Sequence, residues 1–209
     1  MKKISLLTVI LILITMTLKA QDPEFEYYKN KEIKTLLGRN KAGGGYGSFT
    51  IGYSLIDNKN AVLVGGRFSW IASHYIGIGI GGIGFINETS NDPQAFLTGG
   101  YGGIYIEPIF LPRSPIHLSF PVLLGAGGIS YISTDPDSNN YFVEDSEAFL
   151  MIEPSAELEL NLTKHFRLAF GTSYKFPTRF NVGLSGTPIA NAESLKGFSY
   201  MVTFKFGKF

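Results

Sequence analysis

The sequence predicts an all-β chain: a closed up-and-down antiparallel β-barrel of about eight strands that crosses a membrane. Three observations predict it. Apolar and polar residues alternate with a period of two in one segment after another. The alternating segments are longer than the strands of soluble proteins. The connections switch between short turns and long polar loops. The chain's 209 residues suffice for one domain with a sizeable interior, and 25 of them are glycine. A formal net charge of +1 carries no basic excess that would point to nucleic acid, and a chain without cysteine has no disulfide and no thiolate metal site.

The N-terminus reads as a targeting segment. Lys2 and Lys3 precede an apolar run, 4–18, interrupted only by Ser5, Thr8, Thr15 and Thr17, and the small residue Ala20 follows. This is the pattern of a secretory signal peptide, residues 1–20. The run of about 15 residues falls short of the roughly 20 that a membrane-spanning helix needs. Cleavage removes Lys2, Lys3 and Lys19 and no acid, which takes 18 basic residues to 15 against 17 acidic, a net charge of −2. Residues 21–43 are polar and of mixed charge, with Ile33, Leu36 and Leu37 able to line a short helix, and read as a periplasmic lead-in. The barrel occupies 44–209.

Eight segments carry the alternation. The first, 44–56, sets Phe49, Ile51, Tyr53 and Leu55 against Ser48, Thr50, Gly52 and Ser54. The second, 61–72, sets Val62, Val64, Phe68 and Trp70 against Gly65, Arg67 and Ser69. The third, 75–86, opposes Ile76, Ile78 and Ile80 to glycines, and its phase slips at Gly81-Gly82, which suggests a bulge. The fourth, 96–110, opposes Ile104 and Ile106 to Tyr101, Gly103, Tyr105 and Glu107. The fifth, 116–130, opposes Leu118, Phe120, Val122 and Leu124 to His117, Ser119, Gly125 and Gly127. The sixth, 151–162, opposes Ile152, Pro154, Ala156, Leu158, Leu160 and Leu162 to Glu153, Glu157 and Glu159. The seventh, 166–176, opposes Leu168, Phe170, Tyr174 and Phe176 to Arg167, Ala169, Gly171, Ser173 and Lys175. The eighth, 198–207, opposes Tyr200, Val202, Phe204 and Phe206 to Ser199, Thr203 and Lys205. Ten strands result instead if "NYFVEDS" or "RFNVGLS" extends the sheet.

The bulky face tells a membrane barrel from a soluble one such as a lipocalin. A soluble barrel turns its bulky face inward and covers its outside with charge. A lipid-exposed barrel turns the bulky face to hydrocarbon and fills a narrow lumen with small and polar residues. Here one face is bulky on nearly every segment, and the other is Gly, Ser, Thr and isolated charges. With the first strand rising from the periplasm, Trp70, Phe166 and Phe206 fall near the periplasmic rim. Tyr53, Tyr174, Phe176, Phe198 and Tyr200 fall near the outer rim, as two aromatic belts would.

The terminal stretch "GFSYMVTFKFGKF", with Phe204, Phe206 and Phe209, resembles the C-terminal signal by which bacterial outer-membrane barrels are recognised for assembly, although Phe209 is out of phase with the other two. The runs "VGGRFSWIASHYIGIGIGGIGF" and "NLTKHFRLAFGTSYKF" are similar to small outer-membrane barrels of the OmpA/OmpX type, common in Bacteroidota. The resemblance covers 44–209. It implies the fold, an outer-membrane location and the barrel assembly machinery as a partner, and it implies no specific activity.

Candidate chemistry centres on Glu153, Glu157 and Glu159. As part of the inward face they need compensation, which Arg67, Arg167, Lys175 and Lys205 offer; Glu153 and Glu157 with Arg167 and Lys175 are the partners expected from strand adjacency. The expectation is an interior ionic network rather than a general acid/base pair. "GIGIGG", 77–82, satisfies G-x-G-x-x-G but sits inside a strand, and "GGGYG", 43–47, lacks the Lys-Ser/Thr of a P-loop, so no cofactor is expected. His74, His117 and His165 lie at short turns without metal-ligand spacing and read as polar residues of the periplasmic rim. The acidic loop 133–147 reads as solvated, and the segment 177–197 as able to fold over the barrel mouth or meet a partner. The functional expectation is a non-enzymatic barrel with a structural or surface-interaction role. Outer-membrane lipid is its surroundings, and an extracellular ligand meets its long loops. A small pore and a barrel enzyme acting on envelope lipid are the alternatives.

Overall fold

Alternation becomes pairing. In the computed structural model, residues 43–88, 95–134, 141–184 and 187–209 are described, all within the compact unit Leu37–Phe209. The expected signal peptide and the lead-in up to residue 42 lie outside the described residues. Strands β1 (Gly44–Ile56), β2 (Lys59–Ala72), β3 (Ile76–Glu88) and β4 (Ala95–Phe110) form a meander. β5 (Ile116–Ser119) and β6 (Val122–Thr134) share one stave, followed by β7 (Tyr141–Thr163) and β8 (Phe166–Pro177). A hairpin of β9 (Asn181–Leu184) and β10 (Thr187–Asn191) and one turn of helix, α1 (Ala192–Leu195), lead into β11 (Gly197–Lys208). β11 pairs with β1 from Ser54↔Ser199 to Gly45↔Lys208, so the sheet closes on itself as eight antiparallel staves. Closure satisfies the backbone at membrane depth, where an open edge would have no water to pair with. Among the described residues no helix is long and apolar enough to cross a membrane.

Local chemistry places the turns. Asp57 and Asn58 take φ of 53° and 60°, and Ser73 and His74 take 54° and 66°. The first is a two-residue turn and the second part of a three-residue connection, 73–75, and the left-handed backbone of each suits the twist of the flanking strands. The expected fifth strand breaks at Phe120-Pro121, where Pro121 has no N–H to give the ladder and Pro108 and Pro154 face it from β4 and β7. Two cross-bonds, Phe120 N–H to Pro108 O at 2.9 Å and Ser155 N–H to Pro121 O at 2.8 Å, carry the sheet past the break. Neither candidate adds a stave: 141–150 lengthens β7, paired with β6 alone, and 181–184 pairs only with β10.

The outward side chains are the bulky ones. Ile80, Ile104, Leu124, Phe170 and Phe206 are each more than two-fifths exposed in the isolated chain, the pattern of a surface that meets lipid. Phe166 stacks on Phe206 at 4.8 Å, and Trp70 is exposed at the same rim. The phase slip expected at Gly81-Gly82 does not occur. Registers of β3 with β2 and with β4 run unbroken, and Ile83 and Phe85 point inward. The expectation failed because it took every inward position to be small or polar. The outer half of the lumen is instead an apolar layer in which Leu63, Phe85, Leu123, Phe149 and Phe180 pack, closed above by Leu195 of α1.

Orientation is testable. Replacing Ile104, midway along β4, by Arg is expected to cost about 2–4 kcal/mol in urea unfolding from lipid vesicles, as a lipid-facing charge at the bilayer midplane does. Replacing Tyr141, also exposed but above the barrel, by Arg is expected to change little. Equal, small effects at both positions would contradict the membrane orientation.

Candidate functional site

In the half of the lumen nearer the Ser73-His74 turn, seven of the eight staves send a polar side chain to one level. They are Tyr46 from β1, Arg67 from β2, Glu107 from β4, His117 and Ser119 from β5, Glu157 and Glu159 from β7, Arg167 from β8 and Lys205 from β11; all are buried. β3 contributes glycine instead. A Cβ at Gly81 would lie 2.5 Å from that of Arg67, and one at Gly77 would lie 3.0 Å from Glu107 Oε2, so the "GIGIGG" run makes room for its neighbours' long side chains. It lies within a strand and opens no helix.

The Lys205 ammonium is the centre. Its Nζ lies 2.6 Å from Glu107, 2.8 Å from Glu157 and 2.5 Å from Glu159. An ammonium has three donors, and each finds a carboxylate. Arg67 binds Glu157 at 2.7 Å and Glu107 at 3.4 Å, donates from Nε to Tyr46 Oη at 2.8 Å, and lies over the Tyr105 ring. The Tyr46 hydroxyl in turn donates to Glu107. Arg167 reaches Glu159 at 3.3 Å, and its guanidinium lies 3.9 Å from the centroid of the Phe209 ring. Three carboxylates thus face two guanidinium groups and one ammonium. Charge balance and saturated hydrogen bonding are the conditions under which ions tolerate burial.

Lys205, Glu157, Glu159, Arg67 and Arg167 therefore come together, but not in the expected pairs. Glu157 takes Arg67 and Lys205, and Arg167 takes Glu159. Glu153 and Lys175 lie at a level nearer the outer face. Glu153 accepts from Ser173 at 2.6 Å, and Lys175 donates to Ser54, whose hydroxyl reaches Phe198 O at 2.9 Å. Among the described residues no carboxylate lies within ion-pair distance of Lys175. Adjacency along the sheet misled here: long side chains cross the lumen, and the best partner sits on the opposite wall. Sequence reasoning also missed Tyr46 and Glu107, although Glu107 stands on the inward face of its strand.

His117 is corrected as well. It is not a rim residue but wholly interior, with Nε2 3.0 Å from Glu159. It sits one residue past the turn in parity with Ser119, so its ring must enter the lumen. Ser119 donates to Glu159 at 2.5 Å and to Glu157 at 3.3 Å. A serine, a histidine and an acid thus stand together, yet both hydroxyl and imidazole are directed at the carboxylates. Nucleophilic activation needs the hydroxyl to meet the imidazole. The three carboxylates also lie within 4.8 Å of one another, close enough to hold a cation, and Lys205 Nζ stands among them. Phe209, out of phase with the outward Phe206, turns inward over Arg167 and lies 5.7 Å from the Tyr46 ring; Gly207 keeps the register with Tyr46 and makes no kink.

No protein-family model and no curated protein sequence matches this chain. Solved structures do. Neisserial surface protein A matches with a TM-score of 0.52 at 10% identity, over 79% of this chain and 96% of that one. The N-terminal β-barrel domain of OprF and the outer membrane protein OprG, both from Pseudomonas aeruginosa, match with TM-scores of 0.49 at 10% and 9% identity, over 78% and 83% of this chain and 96% and 99% of theirs. The first likeness carries the fold, that of a small outer-membrane β-barrel, and the lipid-facing surface agrees with it. The chain has the fold of a small outer-membrane barrel.

Two substitutions probe the network. Glu157→Leu leaves Arg67 and Lys205 short of a partner and is expected to lower unfolding free energy by about 3–5 kcal/mol, as breaking a buried pair does. Lys205→Ala removes the centre and leaves three carboxylates facing one another; calcium is expected to restore part of its lost stability and to leave the wild type unchanged. Wild-type stability in Glu157→Leu would refute the network as a structural unit.

Proposed function

We propose that the protein is a closed, non-conducting and non-enzymatic outer-membrane barrel that acts through its outer surface. One observation carries this reading. Side chains fill the lumen from the ionic level through the apolar layer, and the gap between Arg67, Glu153, Glu157 and Thr203 amounts to only about 10 Å³. That is room for about one water molecule. An ion would have to part a charge-balanced network and then cross an apolar plug. Catalysis would need a reactive group open to substrate, and the interior carboxylates, His117 and Ser119 are sealed.

The loop-bearing end is then the working end. β7 and β6 continue past the barrel rim with Tyr141, Phe142 and Val143 exposed, and the β9–β10 hairpin with α1 caps the mouth. Rigid scaffolds present binding residues in this way. The outward aromatics of β11, Phe204 and Phe206, are the side chains that assembly machinery would read, and outer-membrane lipid surrounds the staves.

Folded protein in planar bilayers is expected to give no steady conductance. Ohmic steps from the wild type would establish the pore reading in its place.

A further inference from the structure

The outward aromatics of the outer half are not spread around the barrel. Tyr174 and Phe176 on β8, Phe198 and Tyr200 on β11 and Tyr53 on β1 occupy three adjacent staves. Tyr174 lies 4.8 Å from Phe198 and 4.7 Å from Phe176, and Tyr53 is the register partner of Tyr200. A second group stands on β4 and β7, where Phe96 meets Tyr141 at 6.1 Å beside the exposed Phe142; other described outward side chains of the outer half are mainly aliphatic or small, such as Val62, Ile86 and Leu150. A belt that only anchored the barrel would surround it. Here five of the aromatics share one sector of three staves.

Beside that sector the sheet opens. Pairing of β1 with β11 ends at Ser54↔Ser199. Beyond it the β1–β2 turn is held by α1 instead, through Asp57 N–H to Ser194 O at 2.8 Å and Ser194 Oγ to Asp57 Oδ1 at 3.3 Å. The space left between them is a cleft of about 590 Å³, within the range of small-molecule sites. Tyr53, Phe198 and Tyr200 form its apolar wall, and Asn58, Glu193 and Lys196 its polar lip.

The lip selects the ligand. Lys196 is held by both oxygens of Glu193 at 3.1 Å, and Asp57 adds a second carboxylate. A phosphate would meet no unpaired cation among these residues and two acids. Hydroxyl groups would fare better, because the Asn58 amide and the paired charges both donate and accept. Aromatic rings offer flat faces against which the C–H side of a sugar ring packs, and their place at the bilayer interface favours a ligand that is half lipid. We propose that this cleft binds the saccharide headgroup of a membrane lipid, with acyl chains along the Tyr53–Tyr200 wall and sugar hydroxyls on the lip. The proposal rests on the reading of the outer rim as the working surface.

The test uses full-length protein in vesicles of phosphatidylethanolamine and phosphatidylglycerol, with or without a diglucosyl diacylglycerol. The midpoint of heat unfolding is read from the gel shift between folded and unfolded forms. The glycolipid is expected to raise the wild-type midpoint by a few degrees. The rise should vanish in Phe198→Ala/Tyr200→Ala and persist in Phe68→Ala/Trp70→Ala, which removes aromatics of the same outward face at the other rim. No rise, or a rise equal in both variants, overturns the proposal. A rise with free maltose as large as with glycolipid overturns lipid as the source. Stabilisation by phosphatidylglycerol alone that Lys196→Gln abolishes would make the cleft a phosphate site. Conductance of the same vesicles reports the closed lumen separately, so the failure of either reading is told from the failure of the other.

Discussion

Lys205 holds a positive charge where water does not reach, and three carboxylates on two other staves meet it there. Removing such ions from water is penalised by several kcal/mol each, so the network is not a simple source of stability. Its effect is selectivity. Slipping β11 by one residue would turn Lys205 toward lipid and leave Glu107, Glu157 and Glu159 without their common partner. Tyr46, Arg67, Arg167 and Ser119 all bond to the carboxylates that Lys205 gathers.

The two halves of the lumen solve the filling problem differently. Where staves carry long charged side chains, neighbouring positions are stripped back: Gly81 beside Arg67, and Gly171, where a Cβ would stand 2.9 Å from Glu157 Cγ. Nearer the outside, rings and aliphatic chains fill the space, and the hairpin lends Phe180 and Val182 to the same cluster. The result is a polar layer under an apolar layer, within one continuous sheet.

Much of this was legible in sequence. The strands, their outward faces and the inward set of charges follow from parity alone, because a period of two leaves each residue only one side to choose. Parity does not say how far a side chain reaches. Arg67 and Glu157 stand on staves that do not touch in the sheet, and only a closed wall brings their tips to 2.7 Å. The inward Ile83 and Phe85 look like a phase slip at Gly81-Gly82 only if the lumen is filled by small and polar residues alone. Pro121 interrupted a stave that alternation alone made continuous. His117 was read from its closeness to a turn, when its odd position beside Ser119 already directed it inward.

The position of Lys205 on β11 has a consequence for how the barrel comes together. β11 is also the strand that meets β1 and joins the two ends of the sheet. Until it docks, the level holds Glu107, Glu157 and Glu159 against Arg67 and Arg167, an uncompensated negative charge on an open, curved surface. Hydrocarbon would tolerate neither that charge nor the unpaired strand edges beside it. Zipping the seam and quenching the charge are therefore one event. A barrel without β11 lacks both the closing strand and the ammonium that its three carboxylates share.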